Sequence, residues 1–240
     1  MDPAFVYDTF LKLLWVLPTT MALFVLSVAL GFVLAIGLTA MRLSHNPVLS
    51  RIARGYIYVF RGTPLLIQMF LVYYGLGQFA VVRESFLWPF LREPFNCAVL
   101  SLALCTAAYS AEIFRGGFLA VPPQQIEAAR ACGMSGFLLL RRIIVPIALR
   151  QALPSYTTEL VLMVKSTSLA GLVTVSEMTN VANKIIHNTY KTFTVFLIAA
   201  LMYLVLNFIL VRLFALVEHR LSPHLRVMPE AAKPRAVIVG

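Results

Sequence analysis

Glu127–Pro146, EAARACGMSGFLLLRRIIVP, is the stretch whose reading decides the fold. It carries Glu127, Arg130, Arg141 and Arg142 and stands between two long apolar runs. A segment that merely joined two membrane spans could be much shorter. Pro122-Pro123 opens a helix at its first turn, where a missing N–H leaves nothing unpaired. Ala128, Ala129 and Ala131 favour helix and keep its surface slim. Gly133 is a natural helix stop, because glycine takes the left-handed conformation cheaply. Ser135 is placed to cap a second helix over Gly136–Ile144, ending before Pro146. The sequence therefore predicts two short helices around a glycine turn, lying against a membrane. Such a shape either enters another protein's groove or fills an interface without binding anything.

The surrounding chain is of the membrane class. Of 240 residues, 60% are hydrophobic and 12% charged, with mean hydropathy +0.85, far from an ordinary soluble domain. Residues 13–41, 62–82, 94–111 and 192–211 contain no Asp, Glu, Lys or Arg, and a span needs roughly 20 mostly apolar residues. Backbone groups in lipid must be satisfied internally, which predicts an all-α polytopic protein. The alternating ten-residue segments of a membrane barrel are absent. The start, MDPAFVYD, is acidic rather than basic, so it reads as a retained segment and not a secretory leader. Cys97, Cys105 and Cys132 have no metal or redox spacing and read as packing residues.

In chain order, Phe5–Trp15 reads as an interfacial lead-in, and Pro18-Thr19 opens a first span over about Thr19–Met41. Arg42–Arg61 reads as a basic loop closed by Arg61-Gly62-Thr63-Pro64. A second span covers about Pro64–Val82, with Gln68 inside it, and a third about Phe95–Phe114, with Tyr109 and Glu112 near its end. A fourth, Leu153–Val175, is unorthodox: it carries Pro154, Glu159, Lys165 and the polar run Ser166-Thr167-Ser168. Ser176–Asn188 has one apolar face and reads as a short surface helix. The fifth span is about Thr192–Phe214. The expected organisation is a membrane domain over 1–222, with the loop at about 115–151, and a disordered tail over 223–240.

Five spans put the termini on opposite sides. The segments 42–61, 115–150 and 212–240 hold fourteen Lys/Arg, against five on the other side. The positive-inside rule then gives N-terminus out and C-terminus in, with Glu127–Pro146 cytoplasmic. The net charge of +10 is accounted for by these segments, so it does not call for nucleic acid.

The spacing Glu127-Ala128-Ala129, Gly133, Ile143, Val145-Pro146 resembles the EAA signature of inner-membrane permeases of bacterial ABC importers. Val145 stands where that signature usually has Leu. Phe60-Arg61-Gly62-Thr63-Pro64-Leu65-Leu66, the run Ala108–Gly117 and Glu159 through Lys165-Ser166-Thr167-Ser168-Leu169 are similar to the polar-amino-acid branch, nearest the histidine, arginine, octopine and nopaline type. The resemblance covers about residues 5–220. It implies a type I importer permease fold in the inner membrane of a Gram-negative bacterium. It also implies an import function for a polar or basic amino acid or opine. Glu127, Ala128, Ala129, Gly133, Ile143 and Pro146 would couple the chain to an ATPase. The implied partners are two ATP-binding subunits, a second permease chain (related or identical), a periplasmic solute-binding protein and membrane lipid.

The sequence contains no GxxxxGK[ST] phosphate loop, so ATP hydrolysis is expected on a partner, and no cofactor or metal is expected here. A charge at bilayer depth is costly and by default faces a cavity or a partner. Lys165 lies about 18 Å along a helix from Leu153. With Ser166 and Thr167 it is a candidate for the translocation path or its gate; alternatively it snorkels, or pairs with Glu112 or Glu159. Glu159 and Glu112 are candidates for a gate or for a cationic substrate group, or for ion pairs with Arg115 or Arg150. Gln68 and Tyr109 either meet substrate or bridge helices. An embedded enzyme would need a nucleophile and base, and Ser110 near Glu112 has no histidine beside it. A stand-alone carrier or a channel would have no use for the loop.

Overall fold

The computed structural model describes residues 2–221, with side chains up to Leu216. Among them the secondary structure is helical throughout. Three unbroken helices are long and apolar enough to cross a membrane: α1 (Pro3–Leu43), α6 (Pro94–Leu119) and the Thr192–Leu216 part of α11 (Thr192–Leu221). Two bent pairs raise the number to five if each is one span: Pro47–Gly62 with Leu65–Gln78, bent by 104°, and Gly136–Val173 with Met178–Thr189, bent by 50°.

α6 forms the centre. Leu102, Ala103, Ala107, Ala108 and Ala111 are fully buried, and small side chains let neighbours approach closely. α1 runs parallel to it: Ser27 Oγ donates to the Val99 carbonyl and Thr39 Oγ1 to the Ala111 carbonyl, both at a separation of 72 residues. α9 (Val145–Ser166) runs antiparallel on the other side, with Ala148 against Gly117 and Glu159 against Thr106. A Cβ on Gly117 would collide with the Ala148 carbonyl, so glycine sets the α6–α9 separation.

α1 departs from the expected lead-in and span. It is one helix of 41 residues with Pro18 inside it. At 1.5 Å per residue that is about 60 Å, twice the hydrocarbon thickness, so it cannot stand upright with both ends at the membrane surfaces. The break at Pro18 is overridden by packing: Thr9, Leu13 and Thr20 are buried, and Leu13 packs with Met178, Ala182, Val195, Ile198 and Ala199.

The basic segment after α1 is not a loop. α2 (Pro47–Gly62) is capped by Asn46, whose side chain accepts from the Val48 N–H at 2.9 Å. It buries Ala53 and Ile57 and leaves Arg51 and Arg54 exposed. Reading it by charge hid the i, i+4 apolar pair. Thr63 is extended (φ −111°, ψ 145°), as the residue before a proline prefers. The second span is correspondingly broken: α3 (Leu65–Phe70) passes through a π-helical turn, Leu71–Gly75, and a 3₁₀ turn, Leu76–Gln78, to an extended Phe79. Two one-turn helices follow, α4 (Ala80–Arg83) and α5 (Trp88–Leu91).

In the Glu127–Pro146 stretch, α7 (Pro123–Ala131) ends as expected at Gly133, φ +80°. The Met134 N–H donates to the Ala129 carbonyl (3.0 Å) and the Gly133 N–H to the Arg130 carbonyl (2.9 Å), the paired bonds of a Schellman stop. The second helix differs. α8 (Gly136–Leu139) has no side-chain cap from Ser135 and does not end before Pro146. It passes through a π-helical turn, Leu140–Ile144, straight into α9. The widened turn absorbs the missing N–H and ring bulk of Pro146 near the start of α9. The helix of the fourth span thus begins well before Leu153.

α9 gives way to a 3₁₀ segment, Thr167–Val173, closed by Thr174 in the left-handed conformation (φ 67°). α10 (Met178–Thr189) follows. Its apolar face is the expected one but packs into the bundle: Met178 and Ala182 are fully buried against α1 and α11, while Lys184 and His187 stay exposed. The tail 223–240 lies outside the described residues.

Candidate functional site

Two groups of residues stand out, one on the Glu127–Pro146 stretch and one within the bundle. On the stretch, Glu127, Ala128 and Gly133 are exposed, Ala129 is buried, and Ile143 and Pro146 are half-buried. Leu139, just before the π-turn that carries Ile143, is buried, while Phe137 is 74% exposed with Leu138 and Leu140 exposed beside it. Arg141 and Arg142 are exposed on the same turn. Exposed Phe and Leu side chains flanked by charges form a face suited to cover by another protein.

Within the bundle, the predicted residues separate. Glu159 is buried at the α6–α9 interface, where its Oε1 accepts from Thr106 Oγ1 at 2.9 Å. Its Oε2 accepts no hydrogen bond among the described residues. Lys165 is exposed and makes no ion pair among the described residues. Six residues at about 100° each put Lys165 some 240° around the helix from Glu159, so the two do not share a face. Ser166 Oγ and Thr167 Oγ1 donate to the Leu162 and Val164 carbonyls, so these hydroxyls satisfy the end of their own helix.

Glu112 takes the ion-pair alternative. Its carboxylate receives Arg42 Nε at 3.0 Å and Arg115 Nη2 at 2.7 Å. Gln68 bridges: its Nε2 donates to the Phe60 carbonyl, the Thr63 carbonyl and Thr63 Oγ1, closing the free carbonyls at the end of α2. Its buried Oε1 has no hydrogen-bond partner among the described residues. Tyr109 lies under the Arg61 guanidinium, 4.9 Å from ring centroid to Cζ, a cation–π contact between α6 and α2.

Sequence reasoning missed three polar residues. Thr106 lies in a run of small residues that reads as packing. Arg42 was counted only as a topology charge. Glu177, placed on a surface helix, is fully buried. Its carboxylate accepts from the Thr179 and Asn180 N–H groups, both at 2.8 Å, and from the Tyr203 hydroxyl at 3.0 Å. The signal was available: an acidic residue just before an apolar-periodic helix is an N-cap.

Comparison with known proteins gives this geometry its setting. The chain is 56% identical over 225 residues to the octopine transport system permease protein OccM of Rhizobium radiobacter, covering 94% of this chain and 92% of the relative. It is 49% identical to the nopaline transport system permease protein NocM of Agrobacterium fabrum, covering 98% of each. It is 43% identical to the histidine/lysine/arginine/ornithine transport system permease protein HisM of Escherichia coli K12, covering 86% and 87%. Among solved structures, an amino acid ABC transporter crystallised with histidines superposes with a TM-score of 0.81 at 31% identity, over 92% of this chain and 99% of that one. Residues 27–223, from the α1 half that packs on α6 through to the end of α11, match one family along their length, and the chain belongs to it: the binding-protein-dependent transport system inner membrane components.

Proposed function

We propose that this chain is the permease of an ATP-driven importer carrying a polar or basic amino acid or an opine across the inner membrane of a Gram-negative bacterium. Membership of the importer family supplies the class, and relatives named for octopine, nopaline and basic amino acids point to the cargo. The observation that carries the substrate reading is Glu159. It is a carboxylate 7% exposed, held by one hydroxyl and with one oxygen free of hydrogen bonds. All three named substrate groups include a guanidinium, ammonium or imidazolium function, and a buried carboxylate is a fitting partner for such a cation. Lys165, exposed at the end of the same helix, borders the path and meets the substrate carboxylate or moves with the gate, with Ser166 and Thr167 closing the helix end beside it. Tyr109 and Gln68 hold the neighbouring helices in place.

The full assembly contains two ATP-binding subunits, a second permease chain and a periplasmic binding protein. Glu127, Ala128, Ala129, Gly133, Ile143 and Pro146 form the face that an ATPase groove receives. Five crossings, with the N-terminus out and the C-terminus in, put that face in the cytoplasm. A reporter fused after Tyr190 should be silent on the cytoplasmic side, and a cytoplasmic signal there would refute this topology.

The functional test is uptake by vesicles containing this chain, its ATPase and its second permease chain, with the binding protein supplied outside. Octopine, nopaline, arginine and histidine are offered separately. ATP-dependent accumulation of at least one is expected. Accumulation that persists without the ATPase would point instead to a stand-alone carrier. ATP-dependent uptake of none of them would point to a permease for another small solute.

A further inference from the structure

A slot of about 410 Å³ opens between α1, α6 and α9 where α9 emerges from the π-helical turn. Its lining includes Phe32, Phe114, Tyr156, Leu149 and Pro146, together with the exposed Arg150 one helical turn after Pro146. Three aromatic rings hold it open by packing on one another. Phe32 meets Phe114 edge-on at 5.6 Å between centroids, Phe114 lies 5.1 Å from Tyr156, and Phe32 lies 6.2 Å from Tyr156. Arg150 is exposed and enters no ion pair among the described residues. The slot is therefore apolar along its length and cationic at one end, at the same end of α9 as the Glu127–Pro146 stretch.

We infer that this slot binds an anionic phospholipid from the leaflet on the side of the Glu127–Pro146 stretch, with one acyl chain between the aromatic rings and the phosphate on Arg150. Three features select this occupant. The size lies within the ~300–1,000 Å³ range of small-molecule sites. An unpaired guanidinium at the membrane surface matches a phosphate in charge and fork geometry. The slot is also continuous with the apolar face of α1, where Val25, Leu30, Val33 and Ile36 are exposed along a membrane-crossing helix, so its mouth meets lipid. The bound lipid would bridge α1 and α6 to the first turns of α9, beside the π-turn that leads into the proposed ATPase-facing helix. It would therefore stiffen the joint through which that face moves. The inference needs the helices to sit in a bilayer but does not depend on the cargo, so the uptake experiment and the following one fail independently.

The test uses the assembled permease–ATPase complex in phosphatidylcholine nanodiscs. A trace of phosphatidylglycerol with a photoactivatable group in its acyl chain is added, and the cross-linked peptides are mapped. Labelling of the 145–156 peptide should exceed that by a matched phosphatidylcholine probe about fivefold, the preference of one cation near an anionic surface. Arg150→Gln should bring the two probes to the same level, and Leu149→Trp, which fills the slot, should abolish labelling by both. Equal labelling of the unaltered protein by the two probes would overturn the inference, as would labelling indifferent to Arg150→Gln. A cross-link from the slot to the second permease chain would show a protein covering the site and would also overturn it. Arg150→Gln alters an exposed side chain, so the outcome stands even if Leu149→Trp disturbs assembly.

Discussion

Thr106 and Glu159, 53 residues apart in sequence, meet across the α6–α9 interface through a 2.9 Å hydrogen bond. The threonine orients the carboxylate without neutralising it. Glu159→Gln keeps the shape and the acceptor for Thr106 and removes only the charge. If the carboxylate receives a substrate cation, losing a hydrogen bond to a charged group costs about 1.5–3 kcal/mol, or roughly 10–100-fold in transport efficiency. Thr106→Val should have a smaller effect. Uptake by vesicles checks both, with recovery of the intact complex as control. Wild-type uptake by the Gln variant would remove Glu159 from the path.

Glu112 is a structural joint. Its side chain is 18% exposed, and its partners Arg42 and Arg115 are 13% and 29% exposed, so the cluster is largely shielded. Arg42 closes the last turn of α1, and the cluster fixes that end to α6. Glu112→Gln leaves two half-buried guanidinium groups without a counter-charge, a loss of about 1–3 kcal/mol. Thermal unfolding of the purified protein should show a lower midpoint, and salt should restore little of it because the pair is shielded from solvent. A variant as stable as wild type would return the cluster to the class of surface pairs that contribute almost nothing.

Glu177 caps α10 and receives the Tyr203 hydroxyl from α11, so one carboxylate joins the break after α9 to the last helix. A Cβ on Gly171 would meet its Oε1 at 2.5 Å, which shows how tightly the 3₁₀ segment closes over it. Glu177→Ala removes a cap and leaves the half-buried Tyr203 hydroxyl with only its 3.4 Å contact to Thr179 Oγ1, together about 2–4 kcal/mol. Tyr203→Phe should cost about 1 kcal/mol, and the double variant should lose less than the two combined. Additive losses would mean that the 3.0 Å contact carries no energy.

What the sequence disclosed and what it hid have separable causes. Long uncharged runs announced α1, α6 and α11 because hydropathy over twenty residues overwhelms local detail. The stop at Gly133 was legible because its chemistry is local. The continuity of α1 through Pro18 was not, since packing of Leu13 and Thr20 against α10 and α11 outweighs the proline. α2 was hidden by its arginines, whose charge drew the reading away from Ala53 and Ile57. Glu159 could be singled out as an ionisable residue of the fourth span but read as near its end, because the helix begins at Val145 and not at Leu153; its partner Thr106 resembles any small residue of a packed helix. Glu112 and Arg42 lie 70 residues apart, and no local pattern pairs them.

Gly133 supplies the most specific test of the proposed ATPase-facing stretch. Its φ of +80° belongs to the left-handed region, and a Cβ there would meet nothing within 4 Å. Any penalty of substitution is therefore conformational rather than steric. A non-glycine residue in this conformation costs roughly 1–2 kcal/mol, asparagine less and β-branched residues more. The turn is exposed and apart from the three buried clusters, so the melting midpoint of the whole chain should barely move. What moves is the angle between α7 and α8, and with it the position of Glu127 relative to Phe137. Gly133→Asn should retain the ATPase on copurification, Gly133→Ala should retain part of it, and Gly133→Val should lose it while the permease remains folded. Equal recovery of the ATPase with all three variants would mean that the glycine turn does not shape the contact surface.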